Sequence, residues 1–397
     1  MQFSEVVGLQ HVKEQLVDLV QNNRLSHALL FLGRDGSGAL PLALSFAQYI
    51  ICEKVQQSRQ NAGPSLFGEE AEETPMRMDA CGECSACLKA AKYAHPDIHY
   101  SYPVISRKSG DKPVSTDYIT EWREFLEHNP YGNAYEWLQY IGAENKQGNI
   151  TAEECNAIIH KLSLKSFESE YKVLIMWMPE YLNKEGNKLL KLIEEPPANT
   201  LFILVAENAD AILPTILSRC QLVKIPRPEH SEVEAALMAK GIAPQKATLA
   251  AGVSDGNMRE ALALAKEEGS HDWQTLLREW LNAMLKGGPV AQVKWIDHIS
   301  KEGRESQKQF LYYFSHLLEQ SVRLRVLGDA FSIADSEKDF AQRLNKMVDV
   351  PQQEAIAEEL DKAAYYVERN ANPKMLFHAL TIKLSHIIKD KALILAQ

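Results

Sequence analysis

The sequence predicts an α/β fold, a parallel sheet built around a phosphate-binding type of turn, followed by a region that is helical throughout. Three stretches carry this expectation. Val173–Met176 and Leu201–Val205 are short apolar runs, as in strands buried on both faces of a parallel sheet. Between them Leu182, Leu189, Leu190 and Ile193 recur near helical spacing until Pro196-Pro197 stops the helix. Strand, helix, strand is a βαβ unit, which needs a right-handed crossover. The second stretch is His27–Leu32, a buried strand running into Gly33-Arg34-Asp35-Gly36-Ser37-Gly38-Ala39-Leu40 and a helix from about Pro41 to Ile51. The third runs from about His271 to Gln397, where apolar residues keep helical spacing.

The bulk properties fit two or three globular domains. The chain has 397 residues, 45% hydrophobic and 24% charged. A net charge of −10 argues against nucleic-acid binding through the overall field, though not against a local basic face. Met1-Gln2-Phe3-Ser4 opens no signal peptide, and no apolar run is long enough to span a bilayer. Three of the six cysteines are clustered, which fits a reducing compartment and a metal better than disulfides. The expected setting is the cytoplasm, with no membrane partner.

Taken in order, Phe3–Leu25 carries Val7, Val12, Leu16, Leu19 and Val20 at helical spacing. Gly33 and Gly38 in the turn that follows have the Gly-x4-Gly spacing of a phosphate loop, with Gly36 between them. A working loop continues with Lys, to reach the β- and γ-phosphates, and Ser or Thr, to ligate magnesium. Here those positions are Ala39 and Leu40, which supply neither charge nor a metal ligand. A coincidental Gly-rich turn is the competing reading, and the motifs downstream weigh against it.

Cys81-Gly82-Glu83-Cys84-Ser85-Ala86-Cys87 places three thiolates around one point, and Cys52, at a helix end, offers a fourth. Four sulfurs make a closed, structural zinc site with no position left for water or substrate. His95 is the alternative fourth ligand. An iron–sulfur cluster fits the thiol count but finds no redox-partner motif. Residues 53–79 are Gln-, Glu- and Pro-rich and read as a disordered loop. Cys155 and Cys220 read as buried small residues rather than ligands.

His95-Pro96-Asp97 leads into an expected strand, Ile98–Val104. Between about 117 and 147 come Trp122, Phe125, Tyr131, Tyr135, Trp137 and Tyr140. Aromatics among polar residues can stack bases; the sparse Lys and Arg here favour a segment packed on the core instead. Thr151 with Glu154 reads as a capping box opening a helix. Pro226-Arg227-Pro228 is a linker, and Glu229–Lys266 reads as a small helical unit. Near the end, Phe310, Leu311, Phe314, Leu317, Leu318, Val322 and Leu324 form one apolar stripe, and Ile356, Leu360, Ala363, Ala364 and Val367 another. Asn370-Ala371-Asn372-Pro373 breaks between helices.

Leu192-Ile193-Glu194-Glu195-Pro196-Pro197, followed in register by Leu217-Ser218-Arg219-Cys220, resembles the clamp-loader branch of the AAA+ ATPases. The resemblance covers residues 1 to about 265, apart from two insertions. It implies an AAA+ core over 1–225, with a zinc module at 52–87 and an aromatic-rich insertion at 117–147. A helical lid over 226–268 and a helical collar over 269–397 complete the implied architecture. The family carries a similar four-cysteine knuckle after the phosphate-loop helix, but with only a handful of residues between the first cysteine and the other three. Active members end the Val173–Met176 strand in Asp-Glu, and this chain has Trp177-Met178 there. Glu180 lies past the expected acid, and Asn208 sits late for the residue that senses the γ-phosphate. Asp255–Leu262 resembles the lid segment whose arginine contacts nucleotide, and Arg259 keeps that position; without nucleotide it would brace the lid against the core.

Three nucleotide elements degenerate together imply a chain that does not hydrolyse ATP, and passive binding is not expected of it. Arg219 is intact, and the resemblance makes it an arginine finger acting in trans on a neighbour's ATP site. The competing reading is a surface arginine paired with an acid. The implied role is a non-catalytic subunit of a bacterial clamp loader, beside tau/gamma- and delta-type subunits. Sliding clamp and primed DNA would be reached through the complex. Two other functions compete. One is an active ATPase of the same branch, against which Ala39-Leu40 count. The other is a zinc-dependent DNA-binding factor, which would want basic residues where Glu83 and Glu69-Glu70-Ala71-Glu72-Glu73 stand.

Overall fold

The computed structural model describes residues 1–61, 77–107, 110–143, 146–266, 273–328, 335–369 and 371–389. The chain divides into two compact units, one of Met1–Ala251 with Asp255–Ala265, the other of Gly252–Ser254 with Lys266–Gln397.

The first unit is built on five parallel strands, β1 (Ala28–Gly33), β2 (Ile98–Ser101), β3 (Lys172–Trp177), β4 (Thr200–Ala206) and β5 (Gln221–Ile225), in the order β2-β3-β4-β1-β5. The apolar runs alternate between two cores, as a two-residue side-chain period requires. Leu29, Phe31, Val173, Ile175, Leu201, Ile203 and Val205 face one; Leu30, Leu174, Met176, Phe202 and Leu204 face the other. The strands read as continuous hydrophobic runs because both faces are covered.

Helices α1 (Gln10–Gln21) and α2 (Ala39–Ile51) cover the first face, and every residue of α2 is buried. Helix α3 (Glu53–Asn61) follows at once, so the disordered loop expected over 53–79 is helical at its start. Residues 62–76 of that expectation lie outside the described residues. Its end is anchored: the Asp79 carboxylate accepts from the backbone of Phe3 at 2.9 Å and Ser4 at 3.0 Å. Helix α4 (Ser85–Ala91) carries Cys87.

The expected strand over 98–104 is shorter than predicted, since pairing with β3 ends at Ser101. The aromatic segment then folds as α5 (Ile119–His128) and α6 (Ala134–Tyr140). Trp122, Phe125, Tyr131 and Trp137 pack inward, while Tyr135 and Tyr140 stay exposed. Trp122, Phe125 and Trp137 are all but fully buried, with Trp122 stacked on Tyr102 at 4.1 Å and 5.2 Å from Trp177. Trp122→Ala is expected to cost about 3–5 kcal/mol, read as a lower urea midpoint with the slope unchanged.

Helix α7 (Ala152–Ser163) is capped by Thr151, which accepts from the Glu154 amide at 3.1 Å. The predicted capping box is only half formed, because Glu154 turns away to accept from the Ser115 amide at 2.7 Å. The helix expected between β3 and β4 is mostly 3₁₀ over Pro179–Leu189, kinked at Asn183 (φ 48°), before α8 (Leu190–Glu194). Helix α9 (Pro214–Leu217) precedes β5. Three further helices follow: α10 (His230–Ala239), α11 (Pro244–Ser254) and α12 (Met258–Lys266).

In the second unit the elements are α13 (Trp273–Asn282), a π-turn over Ala283–Gly287, α14 (Gly288–Ile299), α15 (Arg304–Leu327), α16 (Asp335–Met347), α17 (Val350–Glu368) and α18 (Pro373–Lys389). The α15 stripe centres on Phe310, Phe314 and Leu317, and the α17 stripe on Ile356 and Leu360, all fully buried. Trp280 stacks on Trp295 at 4.7 Å, and its indole donates to Thr381 Oγ1 at 3.0 Å. Asn370 of the predicted break lies outside the described residues, and Pro373 opens α18. Among the described residues no helix is long and apolar enough to cross a membrane.

Candidate functional site

The turn between β1 and α2 has phosphate-loop geometry. Gly36 (φ 70°) and Gly38 (φ 89°) adopt the left-handed backbone that favours glycine. Gly36 is also needed for space, since a Cβ there would collide with Asn257. Ala39 and Leu40, standing where Lys and Ser/Thr would act, are buried apolar residues at the start of α2.

The space above the turn is filled by the chain itself. The cavity between Gly33–Pro41, Pro130–Gly132, Trp177-Met178 and Val205–Glu207 has a volume of about 30 Å³, against about 300–1,000 Å³ for pockets that take cofactor-sized ligands. Tyr131 lies directly over Gly38, with its ring 3.3 Å from the place a Cβ would take. Its hydroxyl accepts from the Val7 amide at 3.0 Å, and burial pushes the phenol up to about 12. Trp177, at the first of the two missing acid positions, joins the aromatic core of α5 and α6. At this position Trp177 thus supplies an apolar floor for the aromatic segment rather than a carboxylate.

The two remaining candidate acid and sensor residues are absorbed into the backbone. Glu180 Oε1 accepts from the amides of Glu207 at 2.7 Å and Asn208 at 2.9 Å. Burial pushes this carboxyl up in spite of those donors. Asn208 caps a 3₁₀ turn by accepting from the Asp210 amide at 3.0 Å.

Arg259, on α12, is 11% exposed and meets three carboxylates: Asp35 at 3.1 Å, Glu136 at 3.2 Å and Glu260 at 3.2 Å. It faces the Gly-rich turn, and the Met258 amide donates to Gly36 O at 3.0 Å. Sequence reasoning missed Tyr131, Asp35 and Glu136 as site residues. The capping box Asn133–Glu136 that aims Glu136 was legible as a motif; what it points at was not.

Arg219 sits on the turn between α9 and β5 and does not line this pocket. Its guanidinium donates to Glu194 Oε2 at 3.1 and 3.3 Å and to Thr215 O at 2.9 Å, and its side chain stays 31% exposed. The pair ties Leu217-Ser218-Arg219-Cys220 to the Leu192–Pro197 stretch.

The structure brings Cys52, Cys81, Cys84 and Cys87 together, with all four sulfurs within 4.8 Å of one another. Cys52 ends α2, Cys84 is the N-cap of α4, and Cys81 and Cys87 Sγ are 3.9 Å apart. A tetrahedral ion with metal–sulfur bonds of about 2.3 Å sets its sulfurs about 3.8 Å apart, so the donor set fits a metal. Backbone amides point at the sulfurs, Cys81 N to Cys52, Cys84 N to Cys81 and Cys87 N to Cys84, at 3.3–3.4 Å. The neighbouring Cys87 thiol holds Cys52 down to about 5, while Cys52 and burial raise Cys87. His95, the alternative ligand, is turned elsewhere: Nε2 meets Glu168 at 3.2 Å and Nδ1 accepts from the Asp97 amide at 3.2 Å. Cys155 is buried, with its thiol raised to about 12 by that burial, and Cys220 is half-buried and raised to about 11.

The chain resembles proteins of one replication machine. It is 24% identical over 258 residues to DNA polymerase III subunit delta' of Bacillus subtilis (strain 168), covering 65% of this chain and 59% of that one. It is 23% identical over 416 residues to the tau subunit of the same organism, covering 96% and 61%. With the delta' subunit of Escherichia coli (strain K12) it shares 24% over 315 residues, covering 78% and 74%. The chain thus spans about three-fifths of the length of the two Bacillus relatives. A DNA polymerase III gamma subunit-related protein of Thermotoga maritima superposes with a TM-score of 0.39 at 16% identity, over 94% of this chain and 98% of that one. Residues 8–229 match the family model described as DNA polymerase III, delta subunit, and the chain belongs to that clamp-loader family.

Proposed function

We propose that this chain is a delta-prime-type subunit of a DNA polymerase III clamp loader, one that does not hydrolyse ATP and donates Arg219 to the ATP site of a neighbouring subunit. One contrast carries the reading. The nucleotide machinery has lost its lysine, its hydroxyl and its acids, and its pocket is filled by Tyr131. Arg219 keeps its motif and its exposure. Catalysis in trans by a charged group at a subunit edge needs an arginine, and does not need a pocket behind it.

In this role Gly33, Gly36 and Gly38 keep the shape of the phosphate turn, and Arg259 braces the lid. Cys52, Cys81, Cys84 and Cys87 hold a structural Zn²⁺, the ion that best suits four closed thiolates. Zinc would supply a cross-link between the end of α2 and the start of α4, and no chemistry. Tau/gamma- and delta-type subunits are the neighbours in a cytoplasmic assembly; the sliding clamp and primed DNA are met through it, DNA by its phosphates.

The test is DNA-stimulated ATP hydrolysis by the isolated chain and by the reconstituted loader carrying wild-type chain or Arg219→Ala. No turnover from the isolated chain and a loss in the mutant complex are expected. Hydrolysis by the isolated chain would overturn the silent-subunit reading.

A further inference from the structure

The aromatic segment places both bulk and charge at the one point where a strand–glycine turn–helix unit ordinarily receives an anion. Tyr131 is 8% exposed and belongs to the same apolar cluster as Val233, Leu237, Met258 and Ala261 of the lid helices. One ring therefore closes the phosphate turn and completes the lid's own core. Five residues along, Glu136 is fixed by a capping box. Its backbone amide donates to Asn133 Oδ1 at 2.9 Å, and its Oε2 accepts from the Asn133 amide at 3.3 Å, which leaves Oε1 aimed at Arg259. Asn133 Nδ2 also donates to Asp35 at 3.4 Å, so the second carboxylate on Arg259 is positioned by the same turn.

We propose that residues 130–136 are an internal substitute for a nucleotide. Tyr131 occupies the space over the glycine turn, and Glu136 with Asp35 supplies to Arg259 the negative charge that phosphate oxygens would supply. The lid helix α12 is thereby latched in a ligand-bound arrangement at all times, and the subunit is a permanently closed member of its assembly. A guanidinium so little exposed needs such compensation, because an unpaired buried charge is costly. The excess of carboxylates around it repels a free polyphosphate. The inference does not draw on Arg219, so the turnover assay and the test below fail separately.

The test is amide hydrogen exchange of α12 in the full chain, with and without millimolar magnesium-ATP or inorganic tripolyphosphate. Wild type should be insensitive to either. Glu136→Gln removes one charge-assisted contact, and exchange over 258–266 should rise about tenfold. In Tyr131→Ala/Glu136→Gln the site opens, and tripolyphosphate should restore protection and raise the melting temperature. Should the double variant not fold, the same restoration is read in Tyr131→Val/Glu136→Gln, which keeps an apolar side chain in the lid cluster while freeing the place of the ring. The proposal is overturned if wild type gains protection from either anion, or if neither variant alters α12. It is equally overturned if α12 loosens in the variants that remove the Tyr131 ring and no anion restores it there, because the contacts are then ordinary packing.

Discussion

Arg219→Ala should cut turnover at the neighbouring ATP site about 10³-fold, the scale of a fully used arginine finger, while the subunit itself folds and assembles normally. One structural fact supports that separation. Glu194 is exposed and Arg219 partly so, and surface pairs contribute about 0–1 kcal/mol, so losing this one should barely move the melting temperature. For the same reason the guanidinium can leave Glu194 at little cost when a phosphate is presented. Arg219→Lys should fail nearly as badly, since an ammonium cannot form the two-point contact of a guanidinium. Glu194→Gln should leave turnover intact or raise it slightly. Total hydrolysis by the complex will fall less than the single-site figure, because other sites still fire, so single-turnover measurement at the affected site is the sharper readout. Normal turnover from an assembled Arg219→Ala complex would leave the chain as scaffold alone.

The second large effect is expected at the cysteines. Purified chain should carry one zinc per molecule, and Cys87→Ser should carry none. Structural zinc contributes about 10–16 kcal/mol in isolated finger peptides; inside a large unit with its own core the loss is expected to be smaller, about 3 kcal/mol, a drop of roughly 10 °C in the melting temperature. The damage should reach the N-terminus, because Gln2 donates to Ala80 O at 2.6 Å and Asp79 holds Phe3 and Ser4. Cys155→Ser and Cys220→Ser should keep the metal. Full zinc content in Cys87→Ser, or no zinc in chain purified without chelator, would remove the metal from the account.

What the sequence made legible was local or chemically marked. Buried strands are legible because a doubly covered sheet demands unbroken apolar runs, and all of Leu201–Val205 obeys. The four cysteines are legible because thiol spacing constrains a metal site whatever lies between. The segment from Pro179 to Leu189 was misread as regular helix, because apolar spacing does not reveal that Asn183 takes a positive φ. Glu154 left its predicted box for Ser115, a partner chosen by tertiary packing. The plugged pocket was illegible for the same reason. Tyr131 over Gly38, and Asp35 and Glu136 on Arg259, are pairings between distant parts of the chain, and nothing in the local pattern of either partner names the other.

The strand order has a consequence for synthesis. β1 lies between β4 and β5, so Ala28–Leu32 emerges from the ribosome long before its hydrogen-bonding neighbours Phe202–Ala206 and Gln221–Ile225. Until those strands emerge, β1 has no strand to pair with and the largely apolar α2 behind it has no complete sheet to cover. Long-range parallel pairing is slow, and exposed strands invite aggregation. Nascent chains stalled before Ile225 should therefore be captured by chaperones and digested readily by protease, with resistance appearing abruptly once β5 has cleared the exit tunnel.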